Sequence, residues 1–227
     1  DLSMCGRFTN AVPFEVLSGR INAELTEISY YAQPRFNIAP TQPVPCLRLS
    51  PESKWCVELI RWGLVPAWAG DTNIGYKLIN ARAETVDQKP SFRTLFRKRR
   101  CLVVADGWYE WQMVDGVKQP YHLHFIDRGP FCFAGLWDTW RKGEARLETC
   151  TIITTGACPE TEGIHDRMPV IVDPENYLAW LDSDFKDEEH LKSLLVPWPH
   201  GGLKATKVST RVNNARNEGA DCIEALA

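Results

Sequence analysis

The chain has 227 residues, a formal net charge of -3 at pH 7, and a composition that is 44% hydrophobic and 24% charged. This length can bury one full hydrophobic core, so a single domain is expected rather than two. The overall charge gives no sign of nucleic-acid binding, although it allows a local positive groove, and no apolar run approaches the roughly 20 residues that span a bilayer. We therefore expect a cytoplasmic protein, in the bacterial cytosol or nucleoid, with no membrane partner.

The first residues, Asp1-Leu2-Ser3, show no periodicity and are interpreted as an added leader in front of Met4, the natural initiator. We expect residues 1–4 to lie outside the fold and residues 5–227 to form one domain. Removal of the leader and the methionine would make Cys5 the first residue, with an amine and a thiol on adjacent carbons. Such a pair can condense with an aldehyde to an imine and then close to a thiazolidine. The alternative is that Cys5 is a small buried residue near the start of a strand.

Hydrophobic periodicity and turn residues predict an α+β protein built mainly from short strands. A short helix is expected from about Pro13, and the proline-rich segment 34–45 is expected to be extended. Further strands are predicted at 44–49, 55–62, 101–105, 121–126, 131–137 and 148–155, and further helices at 91–97, 174–181 and 187–195. Hairpin signals such as Val114-Asp115-Gly116-Val117 favour a mainly antiparallel, barrel-like sheet with several short helices.

The cysteines and histidines indicate a reduced protein without a metal site. Eight cysteines are scattered along the chain with no C-x-x-C pair, which favours buried free thiols over a disulfide framework or a zinc site. His122 and His124 would share one face of a strand. Because no third ligand lies nearby in the sequence, we expect two ordinary, half-exposed histidines rather than a metal site.

The segment from Arg93 to Arg100 is strongly basic, whereas acidic residues gather between Asp182 and Glu189. The arginines Arg93, Arg97 and Arg100 could extend a positive groove for nucleic acid. They could equally form a solvated basic face opposite an acidic helix. Charge alone leaves both interpretations open.

Two motifs contain candidate acid and base groups. In Gly107-Trp108-Tyr109-Glu110-Trp111, a carboxyl group lies among aromatic residues just after a buried strand. Desolvation there would raise the pKa of Glu110 into the range useful for proton transfer, unless Glu110 is an exposed residue at the strand end. His165, in the polar loop Gly163-Ile164-His165-Asp166-Arg167-Met168-Pro169, is a second acid/base candidate, although most single histidines have no catalytic role.

Two other motifs suit ligand contact. Asn80-Ala81-Arg82-Ala83-Glu84 mixes polar and small residues, as a binding edge or a plain strand edge would. The stretch Trp62-Gly63-Leu64-Val65-Pro66-Ala67-Trp68 places rigid aromatic residues beside a flexible loop, which suits either base stacking or core packing.

Together and in this order, these motifs resemble the SRAP family, the SOS response-associated peptidases also called abasic-site processing proteins. The resemblance covers the chain from Cys5 to about Ala220. It rests on Met4-Cys5-Gly6-Arg7-Phe8, Phe36-Asn37-Ile38-Ala39-Pro40-Thr41, Arg61-Trp62-Gly63-Leu64-Val65-Pro66-Ala67-Trp68, Asn80-Ala81-Arg82-Ala83-Glu84-Thr85, Gly107-Trp108-Tyr109-Glu110-Trp111 and His165-Asp166-Arg167-Met168-Pro169.

The resemblance implies the SRAP fold and the covalent trapping of abasic sites in single-stranded DNA as a thiazolidine. It implies that Cys5 supplies the amine and the thiol, and that Glu110 orients the amine and transfers its proton. By the same resemblance, His165 acts as acid and base at the sugar oxygen during ring opening, and Asn80 hydrogen-bonds the terminus of Cys5. We expect a monomer that needs no cofactor or metal and takes part in the response to DNA damage.

DNA binding requires positive charge along the backbone and flat side chains for the bases. Arg7 and Arg82 lie within the matched motifs and are the first candidates for phosphate contacts, with Arg93 as an extension in the basic segment. Trp68 and Pro40 could support or wedge bases.

Two other functions fit the same residues. A thiol autopeptidase would use Cys5 as nucleophile and His165 as base to cleave the bond before its own cysteine, as the family name suggests. A non-enzymatic module that binds single-stranded DNA would not need Cys5 at all.

Overall fold

Two β-sheets form the frame of the protein. The computed structural model describes residues 5–21 and 33–226, and the leader residues Asp1-Leu2-Ser3-Met4 lie outside that range. The strands are β1 (Phe8–Asn10), β2 (Arg35–Ile38), β3 (Pro43–Leu49), β4 (Trp55–Trp62), β5 (Asn80–Arg82), β6 (Arg100–Ala105), β7 (Gly107–Val114), β8 (Val117–Phe125), β9 (Phe131–Lys142), β10 (Ala145–Gly156), β11 (Arg167–Pro169), β12 (Ile171–Val172) and β13 (Leu203–Lys207).

The helices are short and lie between the strands. The α-helices are α1 (Phe14–Ile21), α2 (Arg93–Lys98), α3 (Tyr177–Leu181) and α4 (Glu188–Ser193). Single 3-10 turns occur at Asn73–Tyr76, Pro174–Asn176, Thr210–Asn213 and Ala220–Cys222. The helix predicted at 174–181 is therefore a 3-10 turn that continues into α3. Asp173 caps that turn by accepting a hydrogen bond from the N–H of Glu175.

The larger sheet closes on itself. Strands β4, β3, β6 and β9 follow one another as antiparallel neighbours, and β10 pairs with both β9 and β4, so these five strands form a closed ring. The β10–β4 pair is parallel, and every other pair in the ring is antiparallel. The predicted α+β class, with a mainly antiparallel, barrel-like core and several short helices, is confirmed. Closure leaves no free strand edge within the ring.

The smaller sheet has the strand order β13-β8-β7-β1-β2 and is antiparallel throughout. It packs against the barrel through aromatic side chains. The ring centroids of Phe8 in β1 and Trp62 in β4 lie 5.2 Å apart, and those of Trp108 in β7 and Phe133 in β9 lie 6.1 Å apart. Edge-to-face contacts of this kind stabilise a core beyond the burial of their area.

Strands β9 and β10 each extend past the ring at one end, and there they pair with additional strands. The second half of β10 pairs with β5, where Ile152 lies opposite Asn80, and with β11, where Gly156 lies opposite Arg167. The first half of β9 pairs with β12. The extension of β10 therefore brings the motif that contains Asn80 beside the strand that follows His165.

The prediction that His122 and His124 are half-exposed is wrong. Their residues are only 2% and 1% exposed, because the two rings stack with centroids 5.2 Å apart and the ring of His122 also lies 5.0 Å from that of Tyr109. His122 Nε2 lies 3.0 Å from the hydroxyl of Thr9, and His124 Nε2 lies 2.8 Å from that of Thr206. Burial lowers the pKa of both histidines, so they are neutral hydrogen-bonding groups of the core.

The remaining sequence expectations concern thiols, metals and membranes. All eight cysteines are free, and all except the half-buried Cys56 are buried, which confirms their predicted place in the core. Among the described residues, no three His, Cys, Asp or Glu side chains are grouped so that they could hold a metal ion. None of the helices in this part of the chain has the length and apolar character needed to cross a membrane.

We predict that Gly107→Ala destabilises the protein by about 1–3 kcal/mol, because a methyl group at this position overpacks the core. An ideal Cβ on Gly107 would lie 2.2 Å from His122 Nε2 and 2.9 Å from the carbonyl oxygen of Leu123. Chemical denaturation measures the change. Gly70→Ala is the matched control, since a Cβ there meets nothing within 4 Å; equal stabilities of the two variants would contradict the predicted clash.

Candidate functional site

Cys5 is buried in the core cluster that joins the two sheets. Its backbone N–H donates a 2.9 Å hydrogen bond to Oε1 of Glu110, and its φ of 45° lies in the left-handed region that non-glycine residues rarely adopt. Because Met4 precedes Cys5 in the sequence, this nitrogen is a peptide nitrogen here. It is the same atom that becomes the α-amine in a chain that begins at Cys5.

The pairing of β1 with β7 brings Cys5 and Glu110 together. Phe8 lies opposite Trp108 and Thr9 opposite Gly107, and the N–H of Tyr109 donates to the carbonyl of Arg7 at 2.9 Å. Since antiparallel strands run in opposite directions, the residues that precede Phe8 lie beside the residues that follow Trp108. The contact between Cys5 and Glu110 is therefore a consequence of strand register.

Glu110 is a buried carboxyl group, with only 3% of the residue exposed. Burial raises its pKa to about 8, the Cys5 N–H opposes that rise, and the negative charge of Asp166 adds to it. Of the two alternatives raised by the sequence, the structure has the desolvated carboxyl and not the exposed one. A carboxyl with this pKa is mostly protonated at neutral pH and can exchange protons with a neighbouring group.

The thiol of Cys5 is completely buried. Burial, followed by the charge of Glu110, raises its pKa well above the ordinary value. The thiol is therefore protonated at neutral pH and is a weak nucleophile until a base removes its proton.

The loop that carries His165 is fixed at both ends. The N–H of His165 donates to the carbonyl of Thr161 at 3.1 Å, and the N–H of Ala157 donates to the carbonyl of Asp166 at 3.0 Å. The loop is also fastened to β7, because Nε2 of Gln112 donates to the carbonyl of Gly163 at 2.6 Å. Gln112 lies two residues after Glu110 on the same strand, so both side chains point to the same side of the sheet.

The imidazole of His165 has two partners at Nδ1. That nitrogen accepts the backbone N–H of Arg167 at 3.1 Å and lies 3.1 Å from Oδ1 of Asp166, to which it donates when it carries the ring hydrogen. The side chain is 23% exposed, so a bound molecule can reach it.

Asn80 borders the site from the barrel side, between the core residues Ile79 and Ala81. Its amide donates to the carbonyl of Ile152 at 3.4 Å, and within the described residues no hydrogen bond joins it to Cys5. The predicted bond is one to a free Cys5 terminus, and Cys5 follows Met4 here, so that bond stays a prediction.

Arg167 is a site residue that sequence reasoning missed. Its guanidinium binds both carboxylate oxygens of Glu84 and donates to the carbonyl of Thr154 at 2.7 Å. The pair links the Asn80 motif to the His165 motif. A signal was available, since Arg167 follows His165 by two residues in a motif already singled out, but that motif was considered only for its histidine.

The candidate DNA-binding residues differ in the exposure of their side chains and in the contacts that hold them. Nη1 of Arg7 donates to Oδ1 of Asn37 and to the carbonyl of Val212, both at 2.7 Å, so this guanidinium is held in place. Pro40 is half-buried, whereas Trp68 is 64% exposed. Arg82 and Arg93 are exposed and form no ion pair with any described residue.

The side chains of the basic segment 93–100 do not form one exposed surface. Arg100 is 3% exposed and donates to the backbone carbonyls of Phe96, Arg97, Trp180 and Asp182, so the expectation that it extends a positive groove is wrong. The reason is that Arg100 starts the buried strand β6 and caps α2 and α3. Arg97 pairs with Glu188 at 2.8 Å, as the alternative of a basic face opposite an acidic helix predicts.

Comparisons with known proteins identify the family of this chain. A family model, "SOS response associated peptidase (SRAP)", matches residues 4–215. The chain is 41% identical to the abasic site processing protein YoqW of Bacillus subtilis, over 97% of this chain and 99% of the relative. It is 32% identical to the abasic site processing protein HMCES of Xenopus tropicalis, over 86% of this chain and 67% of the relative. A crystal structure of a protein from Bacteroides thetaiotaomicron, 25% identical, superimposes with a TM-score of 0.87 over 98% of this chain and 100% of that chain. The chain belongs to the SRAP family.

Proposed function

We propose that this protein processes abasic sites: it binds single-stranded DNA and traps the lesion as a thiazolidine through Cys5. The observation that carries the proposal is the 2.9 Å hydrogen bond between the Cys5 nitrogen and the buried carboxyl of Glu110. Two relatives, YoqW and HMCES, are named abasic site processing proteins, which supports the choice of substrate.

The first step is attack by the amine on the open-chain aldehyde of the abasic sugar. The Cys5 nitrogen, once freed from Met4, bonds to the aldehyde carbon, and loss of water gives an imine. An α-amine with a pKa near 8 is only about a tenth neutral at pH 7, so a neighbouring base must take its proton. Glu110 is in contact with that nitrogen, and an ammonium charge beside it favours the ionised carboxylate that can accept the proton.

The second step closes the ring. The Cys5 sulfur bonds to the imine carbon, and the thiol proton passes to the nitrogen, so the product is a neutral five-membered thiazolidine. Removing the imine prevents β-elimination and strand breakage from that intermediate. Since the pKa of the buried thiol is raised, the amine reacts first and the thiol follows.

His165 is proposed to exchange a proton with the sugar oxygen during ring opening, since Asp166 and the N–H of Arg167 hold its Nδ1 while the side chain stays 23% exposed. Asn80 is proposed to bond the freed Cys5 terminus, which has more hydrogens than the peptide nitrogen. Both roles are inferred from the family resemblance and are compatible with the positions of the two side chains.

The flanking strand is proposed to contact Arg7, Arg82 and Arg93 through phosphates and Trp68 and Pro40 through bases. Arg167 joins this set, because a phosphate could replace Glu84 as its bidentate partner. We further propose that the protein acts as a monomer in the bacterial cytoplasm, in the response to DNA damage.

We predict that protein beginning at Cys5 forms an adduct with abasic single-stranded DNA that survives heat and detergent, whereas protein retaining residues 1–4 binds without forming it. Cys5→Ala should reduce the adduct to background, and Glu110→Gln should slow its formation by about 10²- to 10⁴-fold, the usual contribution of a general acid or base. Denaturing gels over a time course measure both effects.

The matched control for this experiment is Cys56→Ala, which removes a half-buried thiol outside the site and should leave the adduct unchanged. Equal yields with and without residues 1–4, in protein whose intact mass shows that those residues are still attached, would show that the α-amine is unnecessary and would rule out the proposed chemistry.

A pH titration tests the electrostatics of the site. We predict that Asp166→Asn lowers the pKa of Glu110 from about 8, because it removes a negative charge that disfavours the ionised carboxylate. At a pH just below the original midpoint, the variant should therefore carry more ionised Glu110. Carboxyl ¹³C NMR of protein with residues 1–4 in place measures the midpoint, with Glu110→Gln identifying the signal. Glu162→Gln, an exposed acid in the same loop, should leave it unchanged, and an unmoved midpoint in Asp166→Asn would be inconsistent with the assigned cause.

A second candidate function is cleavage by the protein of its own peptide bond before Cys5. The hydrogen bond between the Cys5 nitrogen and Glu110 favours this function too. The Cys5 thiol would give its proton to His165 and its sulfur would bond to the carbonyl carbon of Met4, while the Cys5 nitrogen leaves with a proton from Glu110. Water would then hydrolyse the thioester, which releases residues 1–4 and restores the thiol. A carboxyl that is mostly protonated at neutral pH and touches the leaving nitrogen is suited to this step. Cleavage would expose the amine that trapping requires.

We predict a timed loss of residues 1–4 from purified protein, which intact-mass spectrometry would follow. The loss should stop in Cys5→Ala and slow in Glu110→Gln by about 10²-fold or more. A stable mass over the same period, in protein that is folded by circular dichroism, would exclude self-cleavage. If Cys5→Ala keeps every measurable activity, the remaining interpretation is a non-enzymatic module that binds single-stranded DNA.

A further inference from the structure

Gln112 of β7 joins the loop of His165 to the smaller sheet. Its Nε2 donates to the carbonyl of Gly163 at 2.6 Å. Within the described part of the chain, no other hydrogen bond runs from this loop, residues 157–166, to a strand of the smaller sheet. The placement of the loop against β7 therefore depends on the amide of this side chain.

The loop has to be held in place because His165 and Glu110 come from different sheets. His165 precedes β11, which pairs with β10 of the larger sheet, whereas Glu110 lies on β7 of the smaller sheet. The negative charge of Asp166 helps to raise the pKa of Glu110, so the loop lies near the Cys5–Glu110 pair. A shift of the loop would change the distance between the imidazole and a sugar bound at Cys5.

Ile164 makes the second contact of the loop with the rest of the site. Its half-buried side chain packs against the core cluster that contains Cys5. An apolar contact is non-directional, so it sets the depth of the loop and leaves its orientation free. A hydrogen bond weakens steeply when its angle is poor, so the bond from Gln112 to Gly163 also sets the orientation. Both contacts act directly before His165 in the chain.

We propose that Gln112 is a positioning residue for the opening of the abasic sugar: it holds the His165 loop where the imidazole reaches the sugar oxygen. The proposal rests on the proposed function and adds a residue to it. The amide of Gln112 is occupied by Gly163, so Gln112 acts through His165 and not on the reacting atoms. The bonds that the nitrogen and sulfur of Cys5 form afterwards do not need it.

The ring-opening step is an isomerisation that consumes no co-reactant. The ring oxygen of the closed sugar gains a proton, and its bond to the aldehyde carbon breaks. The hydroxyl group on that carbon loses a proton and becomes the carbonyl group. His165 exchanges the proton at the ring oxygen, so a misplaced imidazole slows this step alone.

The test compares two single-stranded substrates with protein that begins at Cys5. One carries a true abasic site, and the other carries an aliphatic aldehyde on a linker without a hydroxyl group that could close a ring. Gln112→Met keeps the length of the side chain but has no N–H donor. It should slow adduct formation on the abasic site by about 10- to 100-fold, as a displacement of about 1 Å does, and leave the rate on the open aldehyde unchanged. Denaturing gels over a time course, at protein concentrations that saturate binding, measure both rates.

Two further variants show whether the effect depends on the donor and on the histidine. Gln112→Lys restores an N–H donor and should recover most of the lost rate. His165→Ala should slow the abasic substrate selectively, and adding Gln112→Met to it should cause no further loss, because residues that act through one another are not additive.

Gln119 provides the matched control. It lies opposite Gln112 in the pair of β7 and β8, and its amide donates to the carbonyl of Val208 at 2.9 Å and not to the His165 loop. Gln119→Met therefore removes an amide from the same sheet and should leave both rates unchanged.

No slowing by Gln112→Met would mean that the packing of Ile164 is enough to place the loop, and equal slowing of both substrates would mean a general loss of structure. Either result overturns the proposal, as does a further loss in the double variant, an absence of rescue in Gln112→Lys, or a His165→Ala variant that is not selectively slow. These failures differ from a failure of the proposed function, in which wild-type protein that begins at Cys5 forms an adduct with neither substrate.

Discussion

The hydrogen bond between the Cys5 nitrogen and Glu110 is the interaction on which the rest of the site depends. A carboxyl group with 3% exposure has lost its water, and without a donor it would cost about 1–3 kcal/mol or more. The donor is the backbone at the start of the fold, so the beginning of the chain is held where the chemistry requires it. One contact therefore satisfies the buried carboxyl and positions the nitrogen that is proposed to react.

The site depends on two sheets that must be correctly placed relative to each other. The smaller sheet supplies Cys5 and Glu110, and the extension of β10 beyond the closed ring supplies the partners of Asn80 and Arg167. A side-chain contact crosses between these parts, from Gln112 of β7 to the carbonyl of Gly163 in the loop of His165. Arg167 and Glu84 both lie on the β10 side, and their pair joins the two motifs there. Closure of the barrel makes that side of the site rigid, and the contact of Gln112 sets the smaller sheet against it.

Local sequence patterns predict the bounds of the strands and helices better than they predict which strands pair. The bounds of β4 agree with the prediction, because apolar and aromatic residues recur along it despite Glu58 and Arg61. The parallel pairing of β4 with β10 has no local signature, so the closed ring does not follow from the strands alone.

Arg93 and Arg100 belong to one basic segment, yet Arg93 is exposed on α2 and Arg100 begins a buried strand. Composition gives the charge of that segment and not the direction of each side chain. For Cys5, Glu110 and His165, the family motifs gave the residues, but only the fold gives the bond that joins two of them.

The pKa values of the two reactive groups suggest why an amine and a thiol on one residue are useful together. Burial raises the pKa of the Cys5 thiol, which makes it slow to attack on its own, and the same burial raises the pKa of Glu110, which makes it a suitable proton carrier. An environment that weakens the sulfur as a nucleophile thus strengthens the group that activates the nitrogen. Once the nitrogen has bonded to the aldehyde carbon, only Cβ, Cα and the nitrogen separate the sulfur from the imine carbon. The attack no longer depends on a low thiol pKa, because an intramolecular step has a very high effective concentration. The buried site therefore imposes an order on the reaction, with the nitrogen first and the sulfur second, and that order ends in the stable ring instead of the cleavable imine.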